Sequence, residues 1–234
     1  TKAPREIQLL ETVKKDLRLE KLPVHIECFD NSNIQGHHPV AACVVFKNGK
    51  PAKKEYRHFN IKSVEGPDDY ASMEEVVFRR YNRLINEDQP LPQLVVIDGG
   101  KGQLGAAVKA LRELGLTDRV AIIGIAKRLE EIFYPGDSVP LYLDKNSPSL
   151  KLIQNLRNEA HRFGITFHRN KRSGSFLKSK LEEIPGVGSG SVRKLLERFG
   201  SYKGVEEATH EQLKEVVGDS RARKIRHYLD GGNS

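Results

Sequence analysis

The chain is poor in cysteine and has neither a long apolar run nor a secretory leader. Cys28 and Cys43 are the two cysteines in 234 residues, both in apolar, strand-like stretches and without CxxC spacing. That argues against a disulfide framework and a cysteine zinc site, and for reduced core thiols in a cytoplasmic protein. No apolar stretch approaches the ~20 residues that a membrane span needs, so no membrane role is expected. No signal peptide opens the chain, and its abrupt start at Thr1-Lys2-Ala3-Pro4 reads as a piece cut from a longer protein.

Positive charge is in excess. There are 39 basic and 31 acidic side chains, a net +8. Such a balance favours a polyanionic partner, most simply nucleic acid. Residues 168–234 hold 14 basic and 9 acidic groups, net +5, against 25 and 22, net +3, in the first 167. The smaller segment therefore carries most of the excess, as a non-specific grip on a polyanion would.

Ile7, Leu10, Val13 and Leu17 recur at helical spacing, predicting an amphipathic lead-in helix within residues 1–20. Val24, Ile26, Cys28 and Asp30 alternate on one face of a strand. A second strand spans 40–46, the Asn48-Gly49 turn signals a hairpin, and a third strand is expected over 52–61. A loop with a Gly66-Pro67 turn leads to a helix over 71–85, its apolar stripe formed by Met73, Val76, Val77, Tyr81, Leu84 and Ile85. Leu94-Val95-Val96-Ile97 reads as a strand buried on both faces. It ends at Asp98 and turns on glycines into a helix over 104–114. Another buried strand spans 120–126, and a hairpin spans 132–143 around Pro135-Gly136-Asp137. Ser147-Pro148 then starts a long last helix. The order β-β-β-α-β-α-β-α is that of a mixed α/β sheet flanked by helices, the ribonuclease-H-like pattern. The polar, basic stretch 169–176 reads as a linker, which divides the chain into domains 1–168 and 177–234.

An acid at the carboxyl end of a buried parallel strand lies where open α/β sheets place ligands. Asp30 and Asp98 end two such strands, and two hard oxygen donors suit Mg²⁺ or Mn²⁺. His161, at the border of the stripe Leu152, Leu156 and Ala160, suits a metal shell or the activation of water. Each residue also has a plainer reading. Asp98 before Gly99-Gly100 forms a turn, His161 is structural, and Asp68-Asp69 caps the following helix. Gly100-Lys101-Gly102-Gln103-Leu104-Gly105 matches a dinucleotide-binding fingerprint. The next strand, however, ends in Lys127-Arg128 rather than the acid such a site needs. The glycines instead read as letting backbone approach a metal site or a DNA phosphate, with Lys101 contacting phosphate. His37-His38 reads as a surface loop.

Glu27-Cys28-Phe29-Asp30-Asn31-Ser32, Tyr56-Arg57, Asp68-Asp69-Tyr70-Ala71-Ser72-Met73, Ile97 to Leu104 and Glu159-Ala160-His161-Arg162-Phe163 stand in that order. Together they resemble the carboxy-terminal half of UvrC, the bacterial nucleotide-excision-repair nuclease subunit. The resemblance implies a ribonuclease-H-like endonuclease domain with an Asp-Asp-His metal triad at Asp30, Asp98 and His161, and a further functional aspartate at Asp69. It implies incision on the 5′ side of a DNA lesion, as an SOS-response repair function. The family's usual histidine is replaced here by Asn33. The family's GIY-YIG nuclease and UvrB-binding segment are absent from the sequence, so no 3′ cut and weak docking on UvrB are expected.

Ile184-Pro185-Gly186-Val187-Gly188-Ser189-Gly190 fits the turn of a helix-hairpin-helix, between a helix over 177–183 and one over 191–199. Gly186, Gly188 and Gly190 let free amides approach a phosphate, with Arg193 and Lys194 just after them. A degenerate copy over 213–229 has Gly218 but an acid, Asp219, where a second glycine is expected, and is read as leaning on Arg221, Arg223 and Lys224. Residues 177–234 are thus expected to form a small all-α tandem helix-hairpin-helix domain that holds DNA without reading its sequence. The rival readings are a non-catalytic DNA-binding scaffold and a junction-resolving nuclease of the same fold.

Overall fold

The computed structural model describes residues 3–32, 40–61, 68–126 and 131–230. His37-His38, Asn33, the Gly66-Pro67 turn and Lys127-Arg128 lie outside them. The chain folds as two compact units, Thr1–Ile165 and Thr166–Ser234.

The first unit opens with α1 (Ala3–Asp16) and β1 (His25–Ser32). β2 (Val40–Lys47) runs antiparallel to β1 and turns at Asn48-Gly49, both at positive φ, into the short β3 (Lys50–Pro51). Paired positive φ angles are what a two-residue hairpin turn demands, and Asn-Gly meets that demand cheaply. The continuous third strand expected over 52–61 does not form. A 3₁₀ turn at Lys53–Glu55 interrupts it, and pairing with β2 resumes only in β4 (Arg57–Asn60). Then come α2 (Asp69–Asn86), β5 (Leu94–Asp98), α3 (Lys101–Glu113), β6 (Ala121–Ile125), β7 (Ile132–Phe133) and α4 (Pro148–Leu181).

The sheet order is β3-β2-β1-β5-β6-β7, with β4 also on β2. β1, β5 and β6 are parallel and central. Strand alternation sorts their side chains onto two faces. Phe29, Val95 and Ile97 pack with Met73, Val77 and Tyr81 of α2 and Leu104 and Leu111 of α3. Ile26, Cys28, Leu94 and Val96 pack with Val13 of α1, Leu17, and Leu152, Leu156 and Ala160 of α4. The result is a mixed α/β unit, a central sheet flanked by helices, consistent with a ribonuclease-H-like fold. Two residues assigned to apolar stripes from sequence fall outside them. Val24 precedes β1 and is exposed, and Ile85, next to the end of α2, is exposed while Leu84 before it stays in the core.

Residues 169–176, read as a linker, are helical and lie inside α4, which runs from the first unit into the second. The second unit contains α5 (Ser189–Phe199), α6 (Tyr202–Glu207), α7 (His210–Val217) and α8 (Asp219–Leu229). Its core joins Leu181 and Ile184 to Val192, Leu195, Leu213 and Ile225. α6 has no counterpart in the sequence reading. Its signal is the Ser201 side chain, which accepts from Gly204 N, and a capping box of Thr209 and Gln212 starts the next helix, α7.

Candidate functional site

Parallel register brings the two aspartates together. Asp30 stands directly opposite Asp98 on the neighbouring strand, two residues on from the pair Cys28–Val96. Both therefore face the α4 side of the sheet, at its carboxyl end, and each is only 3% exposed. Cys28 reports the same arrangement. Its thiol is pushed well up by burial, and the carboxylates of Asp98 and Asp30 add to the shift.

α4 supplies the histidine. Ala160 is packed in the core, and the next residue, His161, places Nδ1 3.5 Å from Asp30 Oδ2. The imidazole is 65% exposed, so it forms the solvent side of the cluster while the carboxylates form its floor. Among the described residues, no three His, Cys, Asp or Glu side chains are close enough together to make a metal shell unaided. The donor set of two hard carboxylates with one imidazole alongside nevertheless suits a hard divalent ion.

The neighbours of His161 hold the helix. Tyr56 donates to Glu159 Oε2 at 2.8 Å, and Arg162 reaches both Glu159 oxygens at 2.7 and 3.0 Å. Arg162 draws the Glu159 carboxyl below its usual range, and the Tyr56 bond lowers it further. His58 stacks on Phe163 with ring centroids 3.7 Å apart, and its Nε2 is 2.7 Å from the Phe163 carbonyl oxygen. Sequence reasoning gave these residues no role. Their trace in the sequence was that Tyr56-Arg57 and Glu159 to Phe163 stand among the motifs of the resemblance.

At the start of α2 the two adjacent acids separate in role. Asp68 Oδ1 accepts from Tyr70 N at 3.2 Å and Ala71 N at 3.0 Å, so Asp68 is the cap. The Asp69 carbonyl accepts from Asn31 Nδ2 at 2.9 Å, which ties this helix start to the residue after Asp30. Asn31 Nδ2 also lies 3.4 Å from Gln103 Oε1, in the first turn of α3.

Two glycines of the central stretch, Gly99 and Gly102, have side chains packed where a Cβ would stand, while Gly100 and Gly105 have nothing within 4 Å of one. Gly99 has φ +154°, and a Cβ there would lie 2.8 Å from Gln103 Cδ. A Cβ on Gly102 would sit 2.6 Å from Tyr70 Cε1 and closer still to the ring's outer atoms. Lys101 donates to the Ser138 carbonyl at 2.7 Å and lies over the Phe133 ring, anchoring the hairpin after β7.

In the second unit Gly188 and Gly218 cap α5 and α8 without side-chain bonds. Arg221 Nε donates to Gly186 O at 2.9 Å, and Lys224 Nζ lies 3.4 Å from Pro185 O. Arg223 pairs with Asp219 at 2.9 Å, and Arg193 is a loose 3.9 Å from Glu197. The cations read as DNA contacts on α8 are thus engaged within the unit, two of them stapling the Pro185-Gly186 turn. Nothing packs against a Cβ at Gly188 or Gly190.

Known proteins place the chain in a family. The UvrC RNAse H endonuclease domain matches residues 14–165. UvrABC system protein C of Christiangramia forsetii is 66% identical over 218 residues, and that of Flavobacterium johnsoniae 65% over the same length. Each alignment covers 93% of this chain and 36% of the relative, so the chain spans about a third of their length. Among solved structures, endonuclease V of Ciona intestinalis in complex with DNA matches at 22% identity over 67% of each chain, with a TM-score of 0.35. The matched domain covers more than half of the sequence and the relatives align across nearly all of it, so the chain belongs to the UvrC family.

Proposed function

We propose that this chain is the 5′-incising part of a bacterial nucleotide-excision-repair nuclease, cutting one DNA strand beside a lesion in the cytoplasm. The in-register pair Asp30–Asp98, with His161 against Asp30, carries the reading. The relatives' name, UvrABC system protein C, supports DNA as substrate and UvrB as partner. No helix among the described residues is long and apolar enough to cross a membrane, in keeping with that substrate.

Asp30 and Asp98 would hold Mg²⁺ or Mn²⁺, with His161 completing the shell or taking a proton from the attacking water. When bound, the ion supplies Lewis acidity toward the phosphodiester and acidifies water. Asp30 and Asp98 fix where charge is concentrated. His161, at the solvent edge, is reachable by water and suited to proton transfer. Asp69 stands at the α2 start tied to Asn31 and is assigned a supporting role at the same site. Residues 177–234 are read as tandem helix-hairpin-helix motifs. Their uncapped helix starts at Gly188 and Gly218 offer amides to DNA phosphates.

Because no three ligands stand ready together among the described residues, a non-catalytic DNA-binding scaffold is the second reading. Nicking of lesion-bearing duplex separates the two. Cutting that needs Mn²⁺ or Mg²⁺ and falls at least a hundredfold in Asp30→Asn and Asp98→Asn supports the nuclease. Metal-independent behaviour, or cutting unchanged in both variants, refutes it.

A further inference from the structure

We propose that the Tyr70 ring is a stacking platform for a nucleobase next to the scissile phosphate, and thereby sets which phosphate reaches Asp30 and Asp98. The inference rests on the nuclease reading and adds a positioning residue to it.

Tyr70 is 58% exposed, although it lies in the first turn of α2 beside the candidate site. A single exposed aromatic is ordinary. What distinguishes this one is that its backbone is fixed on both sides and its ring rests against a glycine. Its amide is fixed by Asp68 Oδ1, and the carbonyl before it by Asn31, the neighbour of Asp30. Its ring presses against the backbone at Gly102, the second residue of the helix that follows Asp98. The ring occupies the space where a side chain at Gly102 would stand. One side of the ring is therefore backed by α3 while much of it remains open to solvent.

An exposed aromatic backed by a helix is a surface on which bases stack. Such stacking tolerates any sequence, because every base has a π face. An enzyme that cuts beside lesions in any context requires that tolerance. Asn31 and Gly102 tie the ring to both strand ends that carry the aspartates, so a stacked base would be indexed to the carboxylates.

The test is a cycle of base and ring removal, read as binding. The 234-residue chain carrying Asp98→Asn is titrated with fluorescently labelled duplex containing a short unpaired bubble. Nucleotides within two of the cut are replaced one at a time by abasic residues. At one position the abasic DNA should bind on the order of tenfold more weakly. That penalty should shrink to within twofold in Tyr70→Ala and persist in Tyr70→Phe. Equal penalties in Tyr70 and Tyr70→Ala chains at every position overturn the proposal, as does Tyr70→Phe behaving like Tyr70→Ala. If Tyr70→Ala fails to fold, Gly102→Ala takes its place, because the added methyl must displace the ring; an unchanged penalty there is equally fatal. Binding is measured without cleavage, so metal-dependent cutting can fail while the cycle succeeds, and the reverse.

Discussion

The Tyr56 hydroxyl and the Glu159 carboxylate meet at 2.8 Å across 103 residues of chain, joining the sheet edge beside β4 to α4 two residues before His161. Burial, and after it this bond, push the Tyr56 hydroxyl far above its usual range, so it stays a donor at any working pH. Tyr56→Phe removes the donor and keeps the ring packed on Phe163. The expected cost is about 1 kcal/mol in stability with a several-fold loss in nicking rate, since His161 is then less well placed. Urea unfolding and single-turnover nicking on the same preparation check both. A loss in stability with unchanged nicking would confine the bond to structure.

On the other face of the sheet, Glu27 is fully buried and takes two bonds from Arg80, at 3.0 and 2.8 Å, one from the Tyr81 hydroxyl and one shared with His25. Burial alone would raise its pKa. The hydrogen bonds from His25 and Arg80 outweigh burial and hold it at about 2, against 4.5. A lowered acid contributes stability that is fully present above about 4.5 and lost as pH falls toward about 2. Glu27→Gln leaves the Arg80 guanidinium buried opposite a neutral group, at a cost of about 3 kcal/mol. Denaturant unfolding at pH 7 and pH 3 should show the variant much weaker at pH 7, with a shallower acid slope than the parent between those values.

The parallel core was legible because its cause is local. Leu94 to Asp98 is apolar on both faces and ends in an acid, and the strand spans those residues. Asn48-Gly49 likewise announced its turn. The third strand was not legible, since nothing in 52–61 marks the 3₁₀ turn at Lys53–Glu55 that breaks it. The site was legible in part. Its three residue types were visible, but not the register that pairs Asp30 with Asp98. The neighbours of Gly102 and Lys101, Tyr70 and Ser138, were not legible because they lie over thirty residues away. The helicity of 169–176 was not legible, because composition reports solubility and a basic Gly/Ser-containing stretch can still be helical, as α4 is.

In the second unit, cations with similar sequence credentials should separate by what they touch. Arg221 holds the Gly186 carbonyl, so Arg221→Ala should lower the melting temperature of the chain and weaken DNA binding through loss of the turn. Arg193 and Lys194 follow the uncapped start of α5. Replacing either with alanine should leave melting unchanged and reduce the slope of log affinity against log salt by about 1. Binding isotherms at several salt concentrations, with a thermal scan of each variant, distinguish the classes. Equal melting of Arg221→Ala and the parent would return Arg221 to the DNA contacts.

Metal removal gives the sharpest reading of the aspartate pair. A ligand that binds only the folded state stabilises it by about 2.7 kcal/mol at a hundred times its Kd. Mn²⁺ in that excess should therefore raise the melting temperature of the parent by several degrees, and a chelator should reverse the rise. In Asp98→Asn one oxygen donor becomes a neutral amide, which relieves any crowding of Asp30 and Asp98 in the apo chain. That variant should melt at or above the parent without metal, yet gain nothing from Mn²⁺. His161→Ala should keep part of the gain, since the exposed imidazole lies at the rim of the cluster and the buried carboxylates supply most of the charge. If His161→Ala abolishes the shift while Asp98→Asn preserves it, the ion sits on the helix side and the register pair is not its seat.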